Sequence, residues 1–339
     1  MAPTITVIIP TCNRPAFLRD ALDSVRTQTA QSAITQVIVS ENSTNEESEE
    51  VCRQFPDLPI DYLLQRPPVS TLVHLRQIWP HVRNPIVAFL FDDDWWRPGH
   101  IENALLLLAN PSCVAVYSSR YETFSPHAPP FASDVPWLMW IASGCDFRPE
   151  ALLLDEVSVL LSNLLNVSCH LSTLVARKEA VWDVYQKVAV AGNTFDTDRM
   201  WPVFLSSFGS IGYLTKPDTF VRLHPGMDSM KPEHRLKMFN LIQNTTRWLL
   251  KTHPERTAQA AKKFNEAMSS LPLELLPRLR IAIYNFVHEP QWTTLIEECG
   301  LNLPPRAQFA PPPKRKDARW LLKQCCPPVL SAIRRRLRR

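Results

Sequence analysis

The chain has 339 residues, of which 45% are hydrophobic and 21% charged, and this globular balance excludes disorder over most of its length. No apolar run reaches the roughly 18 to 20 residues that a membrane-spanning helix needs. The net charge of +4 is uneven, because residues 314–339 hold ten basic residues and one acidic residue, and the remaining 27 basic and 32 acidic residues give a net charge of −5. An acidic body disfavours a nucleic-acid-binding face.

Glycine and cysteine usage excludes two further classes of site. With seven glycines and neither a GxGxxG nor a GxxxxGK[ST] motif, the chain has no glycine-rich loop to hold a phosphate. The eight cysteines form no CxxC pair, which argues against a zinc site or a disulfide framework. The opening MAPTITVIIPTCNRP lacks the charge pattern of a secretory signal, so we expect a cytoplasmic protein with reduced cysteines.

Short apolar runs alternate with helix-compatible runs through the first 120 residues. The predicted strands are 4–9, 36–39, 60–64, 85–91 and 113–118. One predicted helix begins at Pro15, and the others span 46–55, 74–82 and 100–108. This alternation predicts an α/β fold with a parallel sheet, whose ligands gather at the carboxyl ends of the strands. The loops 11–14, 40–44 and 92–96 should therefore lie together.

The second part of the chain is less regular. A proline- and aromatic-rich stretch, 123–149, is followed by predicted strands at 171–176 and 211–223, helices at 178–186 and 199–208, a helical region at 232–271, a proline-rich run at 304–313 and the basic tail. We expect three parts: a catalytic domain over 1–230, a helical C-terminal extension over 231–303, and a linker with a basic tail over 304–339.

The motif that carries chemistry is the acidic triplet Asp92-Asp93-Asp94, which directly follows an apolar strand. Three adjacent carboxylates repel one another unless a cation neutralises them, and all-oxygen ligands suit Mg²⁺ or Mn²⁺ better than zinc. A divalent cation bound to a substrate diphosphate would explain the triplet, whereas a solvated acidic turn is the simpler alternative.

Four segments together resemble the ordered motifs of the family 2 glycosyltransferases. They are VIIPTCNR at 7–14, VIVSENS at 37–43, FLFDDDWWRP at 89–98 and VRLHPG at 221–226. The resemblance covers about residues 4 to 228. It implies a GT-A fold, which is a Rossmann-like nucleotide-binding mixed sheet flanked by helices, with a nucleotide-sugar donor, a DxD-type metal motif and transfer with inversion.

The resemblance also implies roles for single residues around the nucleotide. Thr11 and Arg14 match the loop that borders the nucleotide, and Glu41 matches the acidic residue, usually aspartate, that faces the base. Arg66 and His74 fall where the family places nucleotide-contacting side chains. His224 matches a position that closes over the diphosphate, although a structural histidine would fit equally well.

For the metal, Asp93 matches the carboxylate five residues before Pro98. The family often has an acid two residues before it, where this chain has Phe91, so Asp92 or Asp94 would take the supporting role toward metal or ribose. For the general base, the family uses a carboxylate near the start of a late helix. Asp198 is the first candidate and Asp196 the second; both could instead simply stabilise a helix N-terminus.

Aromatic and basic segments suggest an acceptor and a surface. Trp95, Trp96, Trp137 and Trp140 could stack on a sugar or a lipid, although core packing explains two of them as well. In the tail, apolar residues share one helical face and arginines crowd the rest, which suits an anionic membrane surface at about 1 kcal/mol per basic residue. A disordered tail is the alternative.

These observations predict a metal-dependent inverting glycosyltransferase that acts on a cell-surface glycan or lipid-linked acceptor at the inner face of the membrane. UDP is the first expected nucleotide and dTDP the second. Two other classes stay open, namely a non-catalytic protein that binds lipid or nucleic acid, and a metal-dependent nucleotidyltransferase.

Overall fold

The computed structural model describes residues 3–44, 47–127, 131–132, 150–164, 169–191, 197–224, 232–269 and 290–302. Contacts divide the chain into a unit that ends at Lys251 and a unit that begins at Thr252. The sequence-based boundaries after residues 230 and 303 stay predictions. Within the described residues, no helix is both long enough and apolar enough to span a membrane.

The first unit is built on one mixed sheet. Its strands are β1 (Ile5–Thr11), β2 (Ile34–Glu41), β3 (Ile60–Leu64), β4 (Ile86–Phe89), β5 (Trp95–Trp96), β6 (Cys113–Thr123), β7 (Phe131–Ala132), β8 (Ala151–Leu154), β9 (Val175–Arg177) and β10 (Ser210–Arg222). The main order is β3-β2-β1-β4-β9-β6-β10-β5, with β7 beside β6 and β8 beside β10.

Among the described residues, seven helices lie between strands along the chain and three follow the last strand. In the first unit they are α1 (Pro15–Arg26), α2 (Glu47–Arg53), α3 (Thr71–Ile78), α4 (His100–Leu108), α5 (Glu156–Leu164), α6 (Lys178–Ala191), α7 (Thr197–Leu205) and α8 (Pro232–Thr252), which ends at the boundary. The helices of the second unit are α9 (Pro254–Ser269) and α10 (Pro290–Glu298).

The core of the first unit surrounds the central parallel strands. Every residue of β1 and β4 is buried, as expected of strands covered on both faces. On one face, Leu18, Leu22 and Val25 of α1 join a buried apolar cluster with these strands and with Trp96. Helix α1 begins at Pro15, whose fixed φ suits the first helical position.

The second half of the sheet is mixed, as the family resemblance implies, and not parallel throughout, as the local alternation of strands and helices alone would suggest. Strand β9 runs antiparallel between β4 and β6, and β5 pairs antiparallel with β10. The strand predicted at 171–176 is a 3₁₀ turn at Leu171–Thr173 followed by the short β9. These pairings join segments that are distant in the sequence, so the local alternation of strands and helices carried no sign of them.

The helical region predicted at 232–271 is two helices. It breaks at His253, because Pro254 offers no backbone N–H and disfavours a helical residue before it. In the second unit, the chain turns away after α10 at Gly300, which has a φ of +66° and places the Leu301 N–H on the carbonyl of Ile296. The Asn265 amide then bonds the carbonyl of Gly300 and the N–H of Asn302.

Candidate functional site

The parallel pairing of β1 with β4 brings the carboxyl ends of these two strands together. Ile8 of β1 pairs with Phe89 of β4, and three residues further on in both segments come Thr11 and Asp92. The Thr11 hydroxyl donates to Asp92 Oδ2 at 2.8 Å, and the Cys12 N–H points at the same oxygen at 3.4 Å. The predicted meeting of the loops after β1 and β4 is therefore confirmed.

The loop after β1 is tied to the end of β2 through Glu41. The last residue pair of the β1–β2 register is Thr11 with Glu41. Glu41 is fully buried, and its carboxylate accepts from the Asn13 N–H at 3.0 Å and from the Ser48 hydroxyl. Asn13 has a φ of +54°, a left-handed conformation that asparagine tolerates better than most residues. Glu41 thus fixes the turn that leads into Arg14.

Arg14 crosses from this loop to the acidic triplet. Its carbonyl accepts from the N–H groups of Phe17 and Leu18 at the start of α1, so its backbone is held by the helix. Its Nη1 lies 3.2 Å from Asp92 Oδ1 and 2.9 Å from Asp93 Oδ2. The guanidinium, about a third exposed, therefore supplies a positive charge to two of the three carboxylates.

Asp93 is the most accessible carboxylate of the triplet. Its side chain is 18% exposed, against 4% for Asp92 and 3% for Asp94. Besides Arg14, it has a contact of 3.1 Å between Oδ2 and Nε2 of His224. The His224 ring also packs on Phe17, with the ring centres 5.2 Å apart. His224, which matches the family's diphosphate position, is thus a neighbour of Asp93, which matches the family's metal position.

Asp94 is buried and fully engaged by protein donors. Its Oδ2 accepts from the Ser172 hydroxyl, and its Oδ1 accepts from the backbone N–H of Arg222 at 3.0 Å. Nδ1 of His170 lies 3.7 Å from Oδ2. Ser172 precedes β9 and Arg222 ends β10, so two later parts of the sheet hold this carboxylate.

The Arg222 side chain anchors the acidic turn from the opposite side. Its Nε donates to the Asp93 carbonyl at 2.9 Å, and its Nη2 pairs with Asp20 of α1. The guanidinium lies over two aromatic rings, with Cζ 4.4 Å from the centre of Phe17 and 4.7 Å from that of Trp95. A planar cation stacked in this way fixes the backbone of the turn as well as its charge.

The clustered charges shift the protonation of the site. Burial, reinforced by the charge of Asp93, raises the pKa of Asp92 to about 7, although Arg14 and the Thr11 hydroxyl act in the opposite direction. Burial and the same neighbour also raise the pKa of Asp94 well above its usual range. Burial lowers the pKa of Arg14, but Asp92 and Asp93 outweigh this, so the pKa is raised and Arg14 stays charged.

Other residues predicted for the nucleotide lie apart from the triplet. His74 is buried with Nε2 2.7 Å from the Ser40 hydroxyl, and burial lowers its pKa to about 4. Arg66 donates to the Thr44 carbonyl at 3.1 Å. Their contacts with a nucleotide stay predictions. Asp196 lies outside the described residues, and Asp198 stands in the first turn of α7, so the choice of general base also stays a prediction.

The donor chemistry of the site fits a divalent cation that arrives with a phosphate. Among the described residues, no three acidic, histidine or cysteine side chains are placed to hold a metal ion by themselves. Mg²⁺ is commonly bound through one or two carboxylates together with substrate phosphates and water, and Asp93 is accessible enough to take such a role. Asp92 and Asp94, which are tied to protein donors, suit a supporting role.

Two residues of the site were missed from the sequence. Arg222 lies in the segment 221–226, which resembles a family motif and contains the predicted site residue His224. Its position in the sequence could therefore have marked it as a site residue. Ser172 offered none, because only the antiparallel insertion of β9 brings it to the acidic triplet. Trp137 and Trp140, which were predicted to stack on a sugar or a lipid, lie outside the described residues. Trp96 is a buried core residue whose indole N–H donates to the Ser172 carbonyl at 2.6 Å.

Comparisons with known proteins bear on the family and the fold. Residues 6–147 match the model of glycosyl transferase family 2. A validoxylamine A glucosyltransferase from Streptomyces hygroscopicus subsp. limoneus is 26% identical over 129 residues, a stretch that covers 38% of this chain and 28% of that protein. The chain therefore spans less than a third of that relative.

Solved structures share the fold. The crystal structure of S. aureus TarS 1–349 matches with a TM-score of 0.54 at 12% identity, covering 87% of this chain and 80% of that one. The same fragment in complex with UDP matches with a TM-score of 0.50 at 15% identity, covering 86% and 81%. The expected resemblance and fold are both confirmed: residues 6–147 match the model of glycosyl transferase family 2, and the fold is like that of the GT-A glycosyltransferases.

Proposed function

We propose that the protein is an inverting glycosyltransferase that moves a sugar from a nucleoside diphosphate sugar to an acceptor hydroxyl. The observation that carries this proposal is the acidic triplet at the carboxyl ends of the central strands, where Arg14 and His224 both contact Asp93. Negative charge grows on a diphosphate as its bond to a sugar breaks. A site with a divalent cation, a guanidinium and an imidazole is suited to stabilise that charge.

The donor class is supported by the family and by the fold. The TarS fragment of similar fold was crystallised with UDP, and the bacterial relative is named as a glucosyltransferase. We therefore keep UDP as the first nucleotide and dTDP as the second. Glu41 would face the base only if it exchanged its present bonds to Asn13 and Ser48 for bonds to the ligand.

The proposed cofactor is Mg²⁺ or Mn²⁺, held by Asp93 with support from Asp92 and Asp94. When bound, such a cation neutralises the departing diphosphate. The chain's own residues would supply the remaining stabilisation of the diphosphate. Arg14 and His224 both contact Asp93, so both lie close to where a phosphate oxygen would bind. Asp198, or Asp196 in its place, would take the proton of the acceptor hydroxyl, and a positioned base contributes about 10² to 10⁴ in rate.

The proposed acceptor is a hydroxyl of a cell-surface glycan or of a lipid-linked sugar. Support comes from the sequence of the tail, residues 314–339, whose basic and apolar residues suit an anionic membrane surface. Deleting these residues should reduce partitioning to liposomes that contain anionic lipid. Unchanged partitioning would remove the membrane part of the proposal and leave the transfer reaction intact.

The decisive test is incubation with Mn²⁺ and a panel of nucleotide sugars, followed by separation of the nucleotide products. Release of a nucleoside diphosphate that depends on both cation and acceptor supports the proposal. Pyrophosphate release from a nucleoside triphosphate would favour a nucleotidyltransferase instead. If neither product forms with any donor, and neither UDP nor dTDP raises the melting temperature with Mn²⁺, the proposed function is wrong.

A further inference from the structure

We propose that Ser172 is a positioning residue that sets the acidic triplet for its divalent cation. The inference rests on the proposed function, since it concerns how the triplet is held for cation and diphosphate. It is carried by the four hydrogen bonds of Ser172, two of which join opposite ends of the acidic turn.

The first two bonds fix the backbone of Ser172. Its N–H donates to Nδ1 of His170 at 3.3 Å, and its carbonyl accepts from the indole N–H of Trp96 at 2.6 Å. The residue is fully buried in the 3₁₀ turn Leu171–Thr173, which leads into β9 between β4 and β6. The hydroxyl is thus presented from a rigid part of the sheet.

The other two bonds are made by the hydroxyl itself. It donates to Asp94 Oδ2 and accepts from the Phe91 N–H at 3.1 Å. Because a serine hydroxyl has one proton, donation to the carboxylate leaves its lone pairs for the amide. The Asp94 N–H in turn donates to the Phe91 carbonyl at 3.1 Å, which closes the turn. One side-chain oxygen therefore holds the first and the last residue of the turn that carries Asp92 and Asp93.

This geometry assigns Ser172 a role beyond stability. Asp94 is engaged at Oδ1 by the backbone of Arg222, so Ser172 is the side-chain donor that determines how Oδ2 is oriented. Removal of the Ser172 hydroxyl takes away its hydrogen bonds to Oδ2 of the buried Asp94 and to the backbone N–H of Phe91. Groups that orient metal-binding carboxylates commonly change metal affinity by about 10- to 100-fold when they are removed.

The test measures free Mn²⁺ by electron paramagnetic resonance during titration of the full-length protein in the presence of UDP. Ser172→Ala is expected to weaken Mn²⁺ binding by about 10- to 100-fold. Ser172→Thr keeps the hydroxyl and should stay within about threefold of wild type. The matched control is Thr173→Val, which removes the neighbouring buried hydroxyl; that hydroxyl donates to the His170 carbonyl at 2.8 Å and makes no bond to the acidic turn.

A double-mutant cycle separates positioning from general damage. In an Asp94→Ala background, Ser172→Ala should cost less Mn²⁺ affinity than it does in wild type, because the bond to Asp94 is already gone and only the bond to the Phe91 N–H remains to be lost. An equal loss for Ser172→Ala and Thr173→Val, or an affinity of Ser172→Ala within about threefold of wild type, would overturn the inference alone. If wild-type protein binds no Mn²⁺ in the presence of UDP, both the proposed metal site and this inference are wrong.

Discussion

Nη1 of Arg14 lies 2.9 Å from Oδ2 of Asp93, so a guanidinium occupies the negative face at which a divalent cation would arrive. Arg14→Gln removes that competing charge. We expect Mn²⁺ affinity without nucleotide to rise by about tenfold, equivalent to about 1.4 kcal/mol, and UDP affinity to fall because a phosphate loses its guanidinium partner.

Isothermal titration with Mn²⁺ and with UDP separately checks both directions of this effect. Arg19→Gln is the matched control, since Arg19 is exposed on α1, the helix that follows Arg14, and bonds to Gln54 rather than to the triplet. Weaker binding of both ligands to Arg14→Gln would mean that Arg14 organises the loop instead of neutralising the carboxylates.

Asp93→Asn should abolish sugar transfer and leave the fold intact. The substitution keeps the shape of the side chain and removes the charge of the most accessible carboxylate, so we expect turnover to fall by at least about 100-fold. Donor turnover measures the effect, and thermal melting verifies folding. Asp57→Asn, at an exposed position before β3, should keep full turnover. An active Asp93→Asn enzyme would contradict the metal assignment.

The buried carboxylates predict a stability that falls as the pH rises. Burial raises the pKa of Asp92 from 3.8 to about 7, so between these values the folded state binds more protons than the unfolded state. In metal-free protein, the contribution of Asp92 to stability should therefore fall from about pH 4 to pH 7, by on the order of a few kcal/mol in total. Added Mn²⁺ should reduce this loss, because a bound cation favours the ionised form.

Urea denaturation of wild type and Asp92→Asn across this range isolates the contribution of Asp92. The comparison is needed because His74, whose pKa burial lowers to about 4, acts with the opposite sign and costs stability below about pH 6.5. The difference in unfolding free energy between the two proteins should change steadily from pH 4 to pH 7. Parallel profiles would show that Asp92 does not titrate as stated.

Arg222→Lys should destabilise the fold although it keeps the positive charge. Lysine cannot stack as a plane over Phe17 and Trp95 while also bonding the Asp93 carbonyl and Asp20. We expect a loss of roughly 2 kcal/mol in unfolding free energy, in the range of a lost charged hydrogen bond and its packing. Urea denaturation measures it.

The control for that experiment is Arg97→Lys at an exposed position just after β5, which should change stability by less than about 0.5 kcal/mol. Comparable stability of Arg222→Lys and Arg97→Lys would show that the contacts of the guanidinium with Phe17 and Trp95 contribute little.

The sequence predicted those parts of the site that depend on neighbouring parallel strands. Thr11, Arg14 and the triplet follow strands whose carboxyl ends meet by topology alone, and the structure brings them together. Ser172 and the Arg222 side chain escaped prediction because their places depend on strand pairings across large separations in the chain: β9 pairs antiparallel with β4, and Arg222 pairs with Thr123 of β6. Trp95 and Trp96 were recognised as notable residues, but the sequence could not tell that one stacks on Arg222 and the other bonds to Ser172.

The three anchors of the acidic turn come from widely separated positions: Thr11 with Arg14, then Ser172, then Arg222. A fragment that ended at residue 147, where the match to the family model stops, would contain all three aspartates and only the first of these anchors. Newly made chain would likewise acquire a finished turn only after β10 has been synthesised and paired.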